Sequence, residues 1–314
     1  MKKEKILITG GAGYIGTSLI PLLLKKGYEV TVYDSLMFNN GDILLPFIPD
    51  PNFTFIKGDI RDKNKIKQFV IQNDIVIHLA AYVGYGICRE RGQVESHEVN
   101  TLATKSIVNM LSNDQYLFFG STGSNYGEVL GVCTEETPLN PLSIYGRTKT
   151  DAELIVMSRS NSVAYRFATA FGVSSRLRLD LLVNDLTYKA LTQKYAVIYE
   201  SHFLRTFIHV RDIANSFLFA IENKQEMKNN VYNVGSDNMN FSKKEVCELI
   251  KTSLPDVLFH YADIGEDADK RNYKVSYKKI NKLGFETTIS IQQGIDELIK
   301  AFNLISIKSQ YHNS

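Results

Sequence analysis

Tyr145 and Lys149 stand four residues apart in the stretch Tyr145-Gly146-Arg147-Thr148-Lys149, a spacing that puts both side chains on one face of a helix. Taken alone, such a pair is more often an ordinary helix face than a catalytic couple. Its chemistry nevertheless suits proton transfer. Tyrosine titrates near pH 10, and bringing it to about 7 takes roughly 4 kcal/mol of preferential phenolate stabilisation, at about 1.36 kcal/mol per unit. A neighbouring ammonium and a helix N-terminus both have the right sign for that. A tyrosine poised in this way accepts the proton of a hydroxyl group while a hydride leaves the same carbon. Thr122, in the run Phe119-Gly120-Ser121-Thr122-Gly123-Ser124-Asn125-Tyr126-Gly127, offers a hydroxyl to the same oxygen.

A hydride needs an acceptor, and Thr9-Gly10-Gly11-Ala12-Gly13-Tyr14-Ile15-Gly16 provides a place for one. The run follows the first apolar segment and opens the first amphipathic one. Gly10 permits a tight turn, Gly13 lets the backbone approach a pyrophosphate, Gly16 packs helix against strand, and Tyr14 and Ile15 complete the turn at the helix N-terminus. A second strand, Glu29–Tyr33, ends in Asp34, about 20 residues on, where a carboxylate accepts the ribose 2′-hydroxyl and repels a 2′-phosphate. The expected cofactor is NAD rather than NADP. Two later strand ends add contacts: Asp59 with Ile60, which can accept from the adenine amino group, and Leu79, Ala80 and Ala81, whose small residues leave room for the dinucleotide. Each of these two segments alone is equally compatible with a plain loop.

These residues need a scaffold, and the first half of the chain has its rhythm. Short apolar runs (ILIT, EVTVYD, FTFIKG, DIVIHLAA, QYLFFGS) alternate with amphipathic stretches, the pattern of a parallel sheet covered by helices on both faces. The interruption at 37–51, with Asn39-Asn40-Gly41 and three prolines, reads as a surface loop. After about residue 170 the pattern becomes α+β, with helices at Lys243–Ser253 and Ile291–Leu304 and strands near Ala196–Tyr199 and Val231–Val234. The expectation is α/β: a Rossmann-type doubly wound sheet from residues 1–170 plus about 207–235, and a smaller α+β substrate lobe from about 171–206 plus 236–314.

Bulk composition narrows the partners. With 36 basic and 34 acidic residues, a net charge of +2 and 44% hydrophobic residues, the chain has a globular balance and no field that draws nucleic acid or an anionic membrane. Anionic ligands must be held by local groups. Three cysteines, Cys88, Cys133 and Cys247, form no disulfide framework; Cys88 reads as a packing thiol, since a lone cysteine has no identified base. No metal site is expected. No apolar run approaches the ~20 residues of a membrane span, and Ile6-Leu7-Ile8 is too short for a signal segment, so a cytoplasmic protein is expected.

TGGAGYIG, Asp34, GDIRD, HLAA, STGSNYG, YGRTK, YRFATAFG, RTFIHVRD and DADKRNY follow one another along nearly the whole chain. In this order they resemble the extended short-chain dehydrogenase/reductase superfamily, in its nucleotide-sugar epimerase and dehydratase branch. The resemblance implies NAD in the first lobe, a nucleoside diphosphate sugar in the second, and catalysis by Thr122, Tyr145 and Lys149, with Lys149 also holding the nicotinamide ribose. Asn100 matches a cofactor-side helix position of the family. Arg205 and Arg271 match positions that hold the sugar-nucleotide pyrophosphate, which bidentate guanidinium groups complement well. Asn184 would donate to a phosphate or sugar oxygen, and Arg176 and Arg178 would line the same cleft unless they are solvated surface arginines. Val83, Gly84 and Ser124 are implied substrate contacts. The family commonly pairs subunits through helices like those carrying Asn100 and Tyr145, which implies a homodimer or larger homo-oligomer.

The reaction itself stays open among three readings. Val83-Gly84, Cys88-Arg89 and the run 176–185 are similar to GDP-heptose 4-dehydrogenases of bacterial capsule biosynthesis, which implies oxidation at C4 of a GDP-sugar. An epimerase shares that first half-reaction and returns the hydride to the other face. Family dehydratases carry Asp-Glu directly after the catalytic threonine, where this chain has Gly123-Ser124, so dehydration is disfavoured. A non-catalytic dinucleotide sensor is the third reading, weakened by the presence of both Tyr145 and Lys149.

Overall fold

A computed structural model describes residues 3–262, 273–306 and 311–313. Seven apolar runs form one parallel sheet: β1 (Lys5–Thr9), β2 (Glu29–Asp34), β3 (Phe53–Lys57), β4 (Ile75–His78), β5 (Tyr116–Thr122), β6 (Ser162–Phe167) and β7 (Asn230–Val234). Their spatial order is β7-β6-β5-β4-β1-β2-β3. Alternate residues of β1 serve opposite faces. Ile6 and Ile8 join a core with Leu19, Leu23 and Phe217 from the helices Gly16–Lys25 and Val210–Glu222. Leu7 joins another with Ile66, Ile107 and Val156. Burial on both sides is why β1 and β4 read as continuous apolar runs. The strand order reverses between β1 and β4, and the crevice outside the carboxyl ends of the strands at such a switch point is where ligands bind.

A second core lies beside this one. Leu177, Leu186, Val246, Ile250, Ile295 and Leu298 are among its members, carried by the helices Leu182–Gln193, Lys243–Ser253 and Ile291–Leu304. The strands Tyr195–Tyr199 and Leu258–Ala262 pair in parallel against it. Sequence reading placed all of 236–314 in this lobe, but Tyr277, Ile280 and Phe285 pack into the larger core, where Lys274–Val275 pairs with Val132–Cys133. The segment 37–51 holds a 3-10 helix at Gly41–Phe47, with Leu44 buried in the core. No described helix is long and apolar enough to cross a membrane.

Buried polar groups fix the strand ends that matter. His78 bridges Thr9 Oγ1 at 2.6 Å and Thr104 Oγ1 at 2.9 Å, and burial lowers its pKa to about 3, so it is a neutral strut. Under β5, Glu153 accepts from Ser121 Oγ (2.6 Å), Asn125 Nδ2 (3.0 Å) and Arg166 Nη2 (2.6 Å). Arg166 also donates to Tyr126 Oη at 3.1 Å. This pair, 1% and 6% exposed, ties the Tyr145 helix to β5 and β6. Removing one partner of a buried pair strands the other charge. Arg166→Met is therefore expected to destabilise the fold by about 3–5 kcal/mol, measured by urea unfolding; a loss below about 1 kcal/mol, the range of exposed pairs, would contradict the assignment.

Candidate active site

Gly10 holds φ +71°, and a Cβ there would stand 2.6 Å from the Ala80 backbone nitrogen. Only glycine lets the turn press against the exit of β4. Gly16 is equally confined, since a Cβ would strike the Gly11 carbonyl. The turn and the strand exits enclose a cavity of about 760 Å³. Its wall includes Gly10, Gly13, Tyr14, Ile15 and Gly16 from the turn, Asp34 from β2, Asp59 and Ile60 beyond β3, and Leu79, Ala80 and Ala81 beyond β4. Asp34 accepts from Ala12 N at 3.0 Å and Leu36 N at 2.8 Å, which leaves lone pairs facing the cavity; burial raises its pKa. Asp59 pairs with Arg61 at 2.6 Å, and that guanidinium lowers its pKa.

These features fit NAD. The glycine turn is too crowded for side chains, leaving backbone at the cavity wall for a pyrophosphate. Asn40 adds a contact that sequence reading missed. It is 3% exposed, donates to the Ala12 carbonyl at 2.6 Å, and its Oδ1 has no hydrogen-bond partner among the described residues. The residue also lines the cavity. The only sequence signal was an Asn-Gly turn, which pointed to a loop.

Tyr145 and Lys149 lie on the helix Ile144–Met157, whose N-cap Ser143 accepts from Gly146 N at 3.0 Å. Both reach the cavity, as does Thr122 at the end of β5. Thr122 Oγ1 donates to Ser124 Oγ and accepts from Ser124 N, each at 3.1 Å. Lys149 is 2% exposed and its Nζ sits 3.8 Å from the centre of the Phe119 ring. Burial lowers its pKa from 10.5 to about 7, with Glu153 opposing the shift.

The expected substrate contacts divide. Val83, Gly84, Ser124, Arg176 and Arg178 line the cavity. Arg178 pairs with Asp180, donates to the Val83 carbonyl at 3.3 Å and interacts electrostatically with Tyr145, so it lies on the Tyr145 side of the cavity. Asn184 does not line the cavity. Fully buried, it accepts from Gly172 N at 3.0 Å and donates to the Arg178 carbonyl at 2.8 Å, which occupies both ends of its amide with backbone. Arg205 is buried in the strand Leu204–His209, outside the cavity wall formed by the described residues. Asn100 is likewise off the wall: it accepts from Tyr82 N at 2.7 Å and donates to Thr148 Oγ1 at 3.0 Å, fastening the β4 exit to the Tyr145 helix. Arg271 lies outside the described residues. Cys88 is buried, burial raises its pKa, and its Sγ lies 3.4 Å from the Tyr82 carbonyl.

The depressed pKa of Lys149 has a signature in stability. Between pH 10 and 7 the unfolded chain takes up a proton that the folded chain refuses, so stability falls as pH is lowered through that window. Lys149→Met lacks this loss. Its stability relative to the wild type should rise as pH falls from 10 to 7, by as much as about 1.36 kcal/mol per unit, in urea unfolding series at several pH values. A difference that does not vary with pH would contradict the buried-lysine reading.

Residues 6–235 match the NAD dependent epimerase/dehydratase family. The UDP-glucose 4-epimerase of Halalkalibacterium halodurans is 30% identical over 274 residues, covering 78% of this chain and 79% of that enzyme. Among solved structures, the UDP-glucose 4-epimerase of Thermotoga maritima with UDP-glucose superimposes with a TM-score of 0.83 at 23% identity, covering 96% of this chain and 99% of that one. The UDP-glucuronic acid 4-epimerase of Bacillus cereus, in complex with UDP-glucuronic acid and NAD, gives 0.84 at 24% identity with the same coverage. At these identities the structural likeness is one of fold. Matched over most of its length, and with the glycine turn, Asp34 and the Tyr145–Lys149 pair around one cavity, the chain belongs to the NAD dependent epimerase/dehydratase family, enzymes of the extended short-chain dehydrogenase/reductase class.

Proposed function

We propose that the chain is a nucleoside diphosphate-sugar 4-epimerase. The observation that carries the reading is that Thr122, Tyr145 and Lys149 open into the same cavity as the glycine turn and Asp34, so a sugar carbon beside Tyr145 would be next to the reactive ring of the dinucleotide. Bound NAD supplies the hydride acceptor and donor. Tyr145 takes the proton of the sugar hydroxyl as the carbon is oxidised, and returns it after the ketone has turned. Lys149 favours the phenolate form and holds the nicotinamide ribose. Thr122 and Ser124 hold the reacting oxygen, and Arg178 holds the substrate's charge near Tyr145.

Two observations favour epimerisation over the alternatives. The relative at 30% identity is named for 4-epimerisation, and Gly123-Ser124 gives no acid-base pair for eliminating water. The motif resemblance to GDP-heptose 4-dehydrogenases supports a second reading, release of the 4-keto GDP-sugar. The exposed Val94, Leu102 and Leu154 on the segment 85–110 and the Tyr145 helix are compatible with pairing of two copies.

A panel of UDP-, GDP-, CDP- and dTDP-sugars, followed by sugar analysis and by absorbance of reduced nicotinamide, separates these readings. An epimerase yields the C4 epimer with no net NADH, and Tyr145→Phe is expected to lower turnover by about 10²–10⁴-fold while NAD still binds. Net NADH with a keto product would overturn epimerisation in favour of the dehydrogenase, and full turnover by Tyr145→Phe would remove the assigned base.

A further inference from the structure

Arg176 belongs by sequence to the second lobe, yet its guanidinium turns to the dinucleotide half of the cavity. Its Cζ lies 4.4 Å from the centre of the Phe38 ring, four residues beyond Asp34, and all three side chains form the wall. Arg176 is 2% exposed. Its hydrogen bonds go to neutral oxygens: the Leu177 carbonyl at 3.1 Å, the His312 carbonyl at 3.3 Å and Asn313 Oδ1 at 2.8 Å. A guanidinium removed from water with neutral partners is incompletely compensated. Arg178 repels it while Asp180 and Asp34 attract it, but Asp180 is paired with Arg178 and the hydrogen bonds of Asp34 are made to Ala12 and Leu36. Asn40, whose buried Oδ1 has no hydrogen-bond partner among the described residues, lines the same wall. Among the described residues, this end of the cavity therefore holds a buried cation whose hydrogen bonds go to neutral oxygens and a buried acceptor without a partner, both on the wall that Asp34 also forms.

We propose that Arg176 is the cation of the adenosine-ribose end of the dinucleotide site, and that it and Asp34 together set the choice between NAD and NADP. Asp34 repels a 2′-phosphate, and Arg176 would bind one bidentately if the carboxylate were neutral. An arginine that accepts the 2′-phosphate here comes from the second lobe and not from the loop after β2, so dinucleotide choice is wired to the lobe that carries Arg178. The inference concerns dinucleotide binding alone and stands or falls apart from the sugar reaction.

Isothermal titration calorimetry with NAD and with NADP tests it without turnover, using the wild type, Asp34→Asn, Arg176→Met and the double variant. Asp34→Asn is expected to gain about tenfold or more in NADP affinity, and the same substitution in the Arg176→Met background under about twofold. Equal gains in the two backgrounds, or no gain in Asp34→Asn, would overturn the proposal. Should Arg176→Met fail to fold, Arg176→Gln removes the charge while keeping hydrogen-bonding capacity, and the same two outcomes decide.

Discussion

The close approach of Gly10 to the backbone at Ala80 is the constraint on which the rest depends. It brings the exits of β1 and β4 together at the point where strand order reverses, so a dinucleotide entering the crevice meets main chain and not side chains. From the same turn Tyr14 donates to the Gly172 carbonyl at 2.7 Å, while Ser174 donates back to the Tyr14 carbonyl at 2.7 Å. The turn thus anchors the second lobe as well as the cofactor. Asn184, expected as a ligand contact, belongs to this joint.

Around that joint the protein holds Lys149 in an environment that disfavours its own charge. Lys149 is enclosed by Phe119 and the Tyr145 helix, and the anionic partner that opposes the burial, Glu153, is itself tied up by Ser121, Asn125 and Arg166. An ammonium that is costly to bury is one for which a phenolate, or the hydroxyls of a ribose, is a strongly favoured partner. Lys149 lies one turn along the helix from Tyr145 and Arg178 comes from the second lobe, so two different elements place basic side chains on the wall of the cavity that Tyr145 also lines.

Much of this was legible in the sequence because its determinants are local. The glycine turn, the Asp34 strand end and the four-residue Tyr145–Lys149 spacing each encode geometry within a few residues, and the two-sided burial of β1 and β4 shows as unbroken apolar runs. What escaped depends on partners far along the chain. Asn100 is fixed by Tyr82 and Thr148, and Asn184 by Gly172 and Arg178, so polar residues that looked like ligand contacts are internal fasteners. Arg176 packs over Phe38, 138 positions earlier, and the Asn-Gly turn at Asn40 carries no sign that the residue is buried and lines the cavity. The segment Tyr277–Phe285 joined the first core through contacts with no periodic signature.

The crystal structure of the protein with NAD bound tests the central claim most directly. The pyrophosphate is expected on the glycine turn, with Lys149 Nζ within about 3 Å of the nicotinamide ribose hydroxyls and the Tyr145 hydroxyl facing the nicotinamide ring. A nicotinamide lodged away from Tyr145, with Lys149 still enclosed and touching no part of the dinucleotide, would contradict that claim.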